Sequence, residues 1–256
     1  VACGFQCEDA QGEYHECAVV EEDTGVYVKG RWQGVHEGKT KGTFGKPALT
    51  YIQEKIYERK LKRSLDVEAS SKAMLWGSFL EPRVHNLLPL GWEHKFDETV
   101  VHPKYNFWCG SIDNVNKTEK SVGDTKCLQP KKFCEVVDCL TKCQELNDIS
   151  LFRDEHPDKY WQLLSNACIL GMDYIVPIIY MPYESELEEI RAEVENADLE
   201  EPWKYRFITE SLKCELAYLP DDSEYKNLNI FRFELNKTDA LLLEQRVIEA
   251  GVLLCT

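Results

Sequence analysis

The chain is expected to fold as an α/β structure around a mixed central sheet flanked by helices, and three observations lead there. Helix-like and strand-like segments interleave in the order helix, strands, helices, strand, strand, helix, which builds layers around a sheet. Two strand-like runs, Tyr105 to Asp113 and Val122 to Leu128, are separated by a polar stretch from Asn114 to Ser121 that reads as a turn. The 256 residues are 43% apolar, enough to bury one substantial core.

Taken in order, residues 1–40 carry cysteines and a β-like piece bounded by Gly25 and Gly34, and are expected to form an extension or cap. Residues 41–256 are then one domain, with an acidic helical insertion near 184–201. Lys41 to Pro47 reads as a loop. Ala48 to Lys62 places Leu49, Ile52, Ile56 and Leu61 at helical spacing among charged neighbours. A second helix runs from about Ser70 to Leu88, opening on a Ser–Ser cap, and four-residue spacing puts Gly77 and Glu81 on one side of it. The small glycine would let another backbone or a phosphate come close. Trp92 to Val101 and Asn106 to Asp113 read as strands, Lys131 to Leu146 and Asp158 to Leu170 as helices. Tyr174 to Tyr180 is rich in β-branched residues, and Pro177 within it suggests an edge or a bulge. An acidic helix follows from Glu184 to Asp198, then a mixed pattern from Arg206 to Leu219 that specifies no element. Asn229 to Leu235 alternates as a strand. A closing helix starts at a Thr238–Asp239 cap and runs through Ala250, with Gly251 at its end.

Charge narrows the function classes. The net charge of −15 argues against simple nucleic-acid binding through excess cations. It is unevenly spread: Lys41 to Arg83 holds nine basic and five acidic residues, whereas Glu184 to Glu201 holds nine acids against Arg191 alone. A basic front and an acidic flank would orient an approaching polyanion, and the acidic run also reads simply as a solvated helix face. No run of eighteen apolar residues occurs, and the first residues lack the basic and apolar regions of a secretory signal, so a soluble protein inside a host cell, in cytoplasm or nucleus and off the membrane, is expected. Eleven scattered cysteines in a chain this long are expected to be reduced thiols.

The chemistry is concentrated in Asp113, Asp124, Thr125 and Lys126. Alternation along a strand puts Asp124 and Lys126 on one face and leaves the Thr125 carbonyl beside the carboxylates. Two hard carboxylates and a carbonyl suit Mg²⁺, with Mn²⁺ as a substitute, and the lysine could orient a metal-bound water.

The succession Gly-Ser-Phe-Leu-Glu81-Pro82, Gly-Ser-Ile-Asp113, Gly-Asp124-Thr-Lys126 and His-Pro-Asp-Lys-Tyr-Trp-Gln162 resembles the PD-(D/E)XK nuclease superfamily, and within it the YqaJ-like viral recombinase exonucleases of the lambda type. The resemblance spans about Thr43 to Tyr180. It implies a restriction-endonuclease-like core and a metal-dependent DNA exonuclease that degrades one strand from a duplex end, 5′ to 3′, in recombination or DNA processing. An endonuclease of the same fold, or a non-catalytic module binding DNA or a protein, are the alternatives. Residue by residue it assigns Asp113, Asp124 and the Thr125 carbonyl as metal ligands, Glu81 as the acid completing the shell through water, and Lys126 as the group that positions or deprotonates water. Gln162 fits a glutamine organising phosphate or the lysine, although this chain has Asn166 where relatives often carry tyrosine. A lowered pKa would let Lys126 act as a base. The implied partners are DNA, a single-strand annealing protein and further copies of the chain, since lambda-type relatives assemble as rings.

Lys41, Thr43 and Lys46, in the loop before a helix, are where such enzymes would grip a 5′ phosphate, and Arg83 and Lys131 would line the same groove. Trp108 would stack on a base or sit in the core. Cys3, Cys7, His15 and Cys17 offer four zinc donors at irregular spacing. Cys127, Cys134, Cys139 and Cys143 surround the helix after the active strand without a C-x-x-C pair, which argues against an iron–sulfur cluster.

Overall fold

A computed structural model describes residues 5–8, 14–17, 26–28, 31–33, 44–65, 71–94 and 98–255. The chain forms two compact units, residues 1–67 with 241–256, and residues 68–240.

The first unit contains two short antiparallel hairpins, β1 (Phe5–Glu8) with β2 (Tyr14–Cys17) and β3 (Val26–Val28) with β4 (Arg31–Gln33). The β1–β2 register pairs Cys7 with His15; Cys3 lies outside the described residues. Helix α1 (Lys46–Leu61) begins with Pro47 in its first turn, where a missing N–H costs nothing, and ends on Lys62 in the left-handed region (φ 55°). Most of α8 (Lys237–Cys255) belongs here, and its Arg246 guanidinium lies 4.4 Å from the Phe44 ring centroid.

The second unit carries the mixed sheet, in strand order β11 (Leu228–Ile230), β10 (Tyr174–Tyr180), β9 (Ser121–Cys127), β8 (Asn114–Asn116), β5 (Glu93–His94), with β12 (Phe233–Glu234) also paired to β10. Strands β9 and β10 run parallel, Asp124 opposite Pro177; the other pairings are antiparallel. A separate ribbon joins β6 (Thr99–Val101) to β7 (Cys109–Ser111). Helices α2 (Lys72–Leu87), α3 (Pro130–Leu146), α4 (Ser150–Glu155), α5 (Pro157–Leu170), α6 (Leu187–Asn196) and α7 (Arg206–Glu210) surround the sheet. This is the α/β architecture with a helix-flanked mixed sheet that the sequence predicts. Residues 175–180 of β10 are all buried, as a strand covered on both faces requires. Trp76, Leu80 and Val84 of α2 and Leu163, Leu164 and Ala167 of α5 complete the core.

Several elements differ from the sequence reading. Asp113 sits at a bend between β7 and β8 rather than inside one strand, and the turn shrinks to Lys117–Lys120 because Asn114–Asn116 pairs with β9. Trp92 to Val101 divides into β5 and β6, with 95–97 outside the described residues. Strand β10 is central, and Pro177 is tolerated because its missing N–H faces the gap between β11 and β12; its carbonyl there accepts from the Phe231 N–H at 3.1 Å. That gap also breaks the expected continuous strand from Asn229 to Leu235. Helix α4 was not expected from the pattern. Helix α8 is capped by Asn236, whose Oδ1 accepts from the N–H groups of Thr238 and Asp239, and it continues through Gly251. Asp239 instead accepts from the Tyr160 hydroxyl at 2.6 Å.

Candidate active site

The centre is built on the hairpin of β8 and β9. Asp124 and Lys126 share a face of β9, and Lys126 Nζ lies 2.8 Å from Asp124 Oδ2. The Thr125 N–H donates to Asp113 Oδ2 at 2.7 Å. This bond takes the place of a ladder bond, since β8 begins at Asn114 and pairs only as far along β9 as Gly123. The N–H and C=O of one strand residue point to the same edge, so the Thr125 carbonyl faces the Asp113 side.

Below this pair runs a chain of hydrogen bonds that sequence reading missed. Asn114 Nδ2 donates to Thr125 Oγ1 at 2.9 Å, and Asn114 Oδ1 lies 2.9 Å from His85 Nδ1, which must carry the proton there. Asn114 is 1% exposed, so its bond to Thr125 is formed away from water, while the one to the half-buried His85 is only partly shielded. His85 extends the four-residue spacing of Gly77 and Glu81 along α2, and that repeat was the available signal. The backbone nearest Gly77 is that of β9, but a Cβ there would lie 3.9 Å from the Cys127 carbonyl oxygen, an ordinary contact, so the approach does not require glycine.

Burial, and then repulsion from Asp124, push the Asp113 carboxyl up to about 6, against the opposing pull of Lys126 and the Thr125 N–H. Burial would lower the Lys126 pKa, but attraction to Asp124, Asp113 and Glu81 outweighs it and the net shift is upward. This upward shift belongs to the metal-free cluster, in which Lys126 is an ammonium among unneutralised carboxylates. Glu81, half-buried on α2, acts on both Lys126 and Cys127, which places it beside the same strand.

The donor set fits a hard divalent cation. Asp124 is 4% exposed, and its Oδ1 is buried with no hydrogen-bond partner among the described residues. A carboxylate oxygen left so is costly unless a cation completes it. The carboxylates of Glu81, Asp113 and Asp124 do not all converge within 4.8 Å, so at least one of the three would reach a shared Mg²⁺ through water.

The other sequence candidates are placed differently. Gln162 is exposed on α5, whose inward face is Tyr160, Leu163, Leu164 and Asn166. Asn166 donates from Nδ2 to the Ser111 carbonyl at 3.0 Å and so ties α5 to β7. Trp108 is a core residue, 4% exposed, donating from Nε1 to Ser165 Oγ at 2.8 Å and stacked on His102. Arg83 is turned to the acidic helix, with Glu186, Glu189 and Glu193 at 3.3, 2.7 and 2.6 Å. That face of α6 is a clamp on α2 rather than a merely solvated surface. Lys131 is exposed, 3.9 Å from Glu135. Lys46 is exposed at the start of α1 in the first unit, while Lys41 and Thr43 lie outside the described residues.

No protein-family profile matches the chain, and no curated protein matches it in sequence. Solved structures share its fold. An alkaline exonuclease (LHK-Exo) from Laribacter hongkongensis aligns at 14% identity with a TM-score of 0.51, over 83% of this chain and 81% of that one. The same enzyme in complex with dAMP aligns at 18% identity and TM-score 0.52, over 80% and 78%. A phage-related exonuclease from Haemophilus somnus 129PT, at 12% identity and TM-score 0.49, is too distant to add to this. At these identities the likeness establishes the fold. No helix among the described residues is long and apolar enough to cross a membrane.

Proposed function

We propose that this chain is a divalent-metal-dependent deoxyribonuclease, an exonuclease acting from duplex DNA ends. The observation that carries the reading is the buried Asp124 carboxylate, one oxygen on the Lys126 ammonium and the other unpartnered, beside Asp113 and an outward Thr125 carbonyl. The shared fold with exonucleases and the order of the Glu81, Asp113 and Asp124–Lys126 motifs support it.

Asp113, Asp124, the Thr125 carbonyl and, through water, Glu81 would hold Mg²⁺ or Mn²⁺. Bound there, the ion would supply Lewis acidity toward a phosphate oxygen and make a coordinated water more acidic. Lys126 as an ammonium orients an anionic phosphate oxygen or the attacking water; it becomes a base only once the carboxylates beside it are neutralised. Asn114 and His85 hold the Thr125 backbone in register, and so hold Asp113. Cleavage 5′ to 3′, work with an annealing protein, and assembly into an oligomer follow from the resemblance to lambda-type recombination enzymes.

End-labelled linear duplex and covalently closed circular duplex, incubated with Mg²⁺, test this. Linear DNA is expected to shorten from its ends while circles persist, and Lys126→Ala to lose activity on the order of 10²–10⁴-fold. Cleaved circles would make the enzyme an endonuclease. Absence of metal-dependent cleavage would overturn the reading, and equal activity in Lys126→Ala would remove that residue from the mechanism.

A further inference from the structure

We propose that Cys139, Cys143, Glu155 and His156 form a zinc-binding site separate from the carboxylate centre. Donor atoms of Cys139, Glu155 and His156 lie within 4.8 Å of one another. Four ligands around zinc at about 2.0–2.3 Å stand about 3.3–3.8 Å apart, so these three need to close by only about an ångström, and Cys143, outside that group, must turn toward it to become the fourth. Cys143, one turn along α3 on the same face and fully buried, has its thiol within hydrogen-bonding reach of Cys139.

Buried cysteines often serve only as small apolar residues. The histidine distinguishes this cluster. His156 is 4% exposed, and its Nε2 is buried with no hydrogen-bond partner among the described residues, an orphan that costs stability unless something ligates it. Its backbone is fixed where α4 meets α5: its N–H donates to the Phe152 carbonyl at 2.9 Å and its carbonyl accepts from the Tyr160 N–H at 3.0 Å. Glu155 is exposed and provides the path by which an ion enters.

Thiolate and imidazole donors select zinc, whereas the all-oxygen set at Asp113 and Asp124 selects magnesium, so the two sites would not compete for one ion. Burial pushes both thiols up, Cys139 to about 12, so metal binding would displace their protons. An ion here would pin α3, the helix that follows β9, to the α4–α5 junction.

The test uses the full chain with Cys3, Cys7 and Cys17 replaced by serine, which removes the thiolates of the zinc candidate near the start of the sequence. Titration with cobalt(II) is expected to produce one equivalent of thiolate-to-cobalt charge-transfer absorption with tetrahedral visible bands, displaced by zinc. Cys139→Ser should abolish the charge-transfer absorption or sharply reduce it. Glu155→Gln, at an exposed position, should weaken cobalt binding at least tenfold, and it decides the matter if Cys139→Ser does not fold. Absence of thiolate absorption in excess cobalt, or unchanged affinity in Glu155→Gln, overturns the proposal.

Discussion

Replacing Asp113 by asparagine should make the metal-free protein more stable while disabling it. In the fold the carboxyl is raised from 3.8 to about 6, by burial first and Asp124 second. At about 1.4 kcal/mol per pKa unit, ionised Asp113 opposes folding by about 3 kcal/mol at neutral pH. Asparagine removes that charge yet keeps an oxygen for the Thr125 N–H, now 2.7 Å from Asp113 Oδ2. The direction in pH follows from linkage. The folded carboxyl holds its proton more tightly than the unfolded one, so Asp113's own contribution to stability becomes less favourable as pH rises from about 3.8 to about 6 and stays so above that window. In chelator at pH 7.5, Asp113→Asn should therefore melt roughly 6–12 °C above wild type, at about 2–4 °C per kcal/mol for a chain of this size. The gap should close as pH falls toward 4. With Mg²⁺ or Mn²⁺ the wild type should gain stability and the variant much less, and DNA cleavage should drop on the order of 100-fold or more. Thermal melts in chelator and in metal, from pH 4 to 8, are the assay. A variant no more stable than wild type at pH 7.5 in chelator, or a gap independent of pH, refutes the reasoning.

Asn114→Ala should cost about 1–3 kcal/mol in denaturant unfolding, because it strands His85 Nδ1 and Thr125 Oγ1, and it should also lower cleavage; unaltered cleavage would deny Asn114 its positioning role. Gly110→Ala puts a Cβ 2.4 Å from Asn166 Oδ1 and should cost about 1–3 kcal/mol, part of which Asn166→Ala in the same chain recovers. If the double variant is no better than Gly110→Ala, the close approach is not the cause. Arg83→Gln should destabilise by about 1–2 kcal/mol, since two of its three glutamate partners are substantially solvent-exposed, and should leave KM for DNA unchanged. A tenfold rise in KM would return Arg83 to the phosphate groove.

The parts of this protein legible along the chain are those written in short-range periodicity. Period two places Asp124 and Lys126 on one face of β9, and the observed 2.8 Å pair needs nothing further to explain it. Four-residue spacing aligns Gly77, Glu81 and His85 on α2, and Ser71 caps that helix by accepting from the Met74 N–H at 3.2 Å. A continuous, β-branched apolar run likewise marks β10 residue for residue.

Partnerships between distant residues are not written that way. Arg83 reads as a free cation in a basic stretch until α6 and the turn before it bring three glutamates against it from more than a hundred residues away. Pro177 reads as an edge signal until β11 and β12 are seen to leave a gap at its nitrogen. His156 reads only as the first residue of the motif ending at Gln162 until α3 sets Cys139 beside it. The amino-acid order determined which side chains share a face of each element, because backbone geometry repeats locally and without reference to the rest of the molecule. Only tertiary packing decided which faces meet, because burial and charge pairing are settled between segments the chain must first bring together.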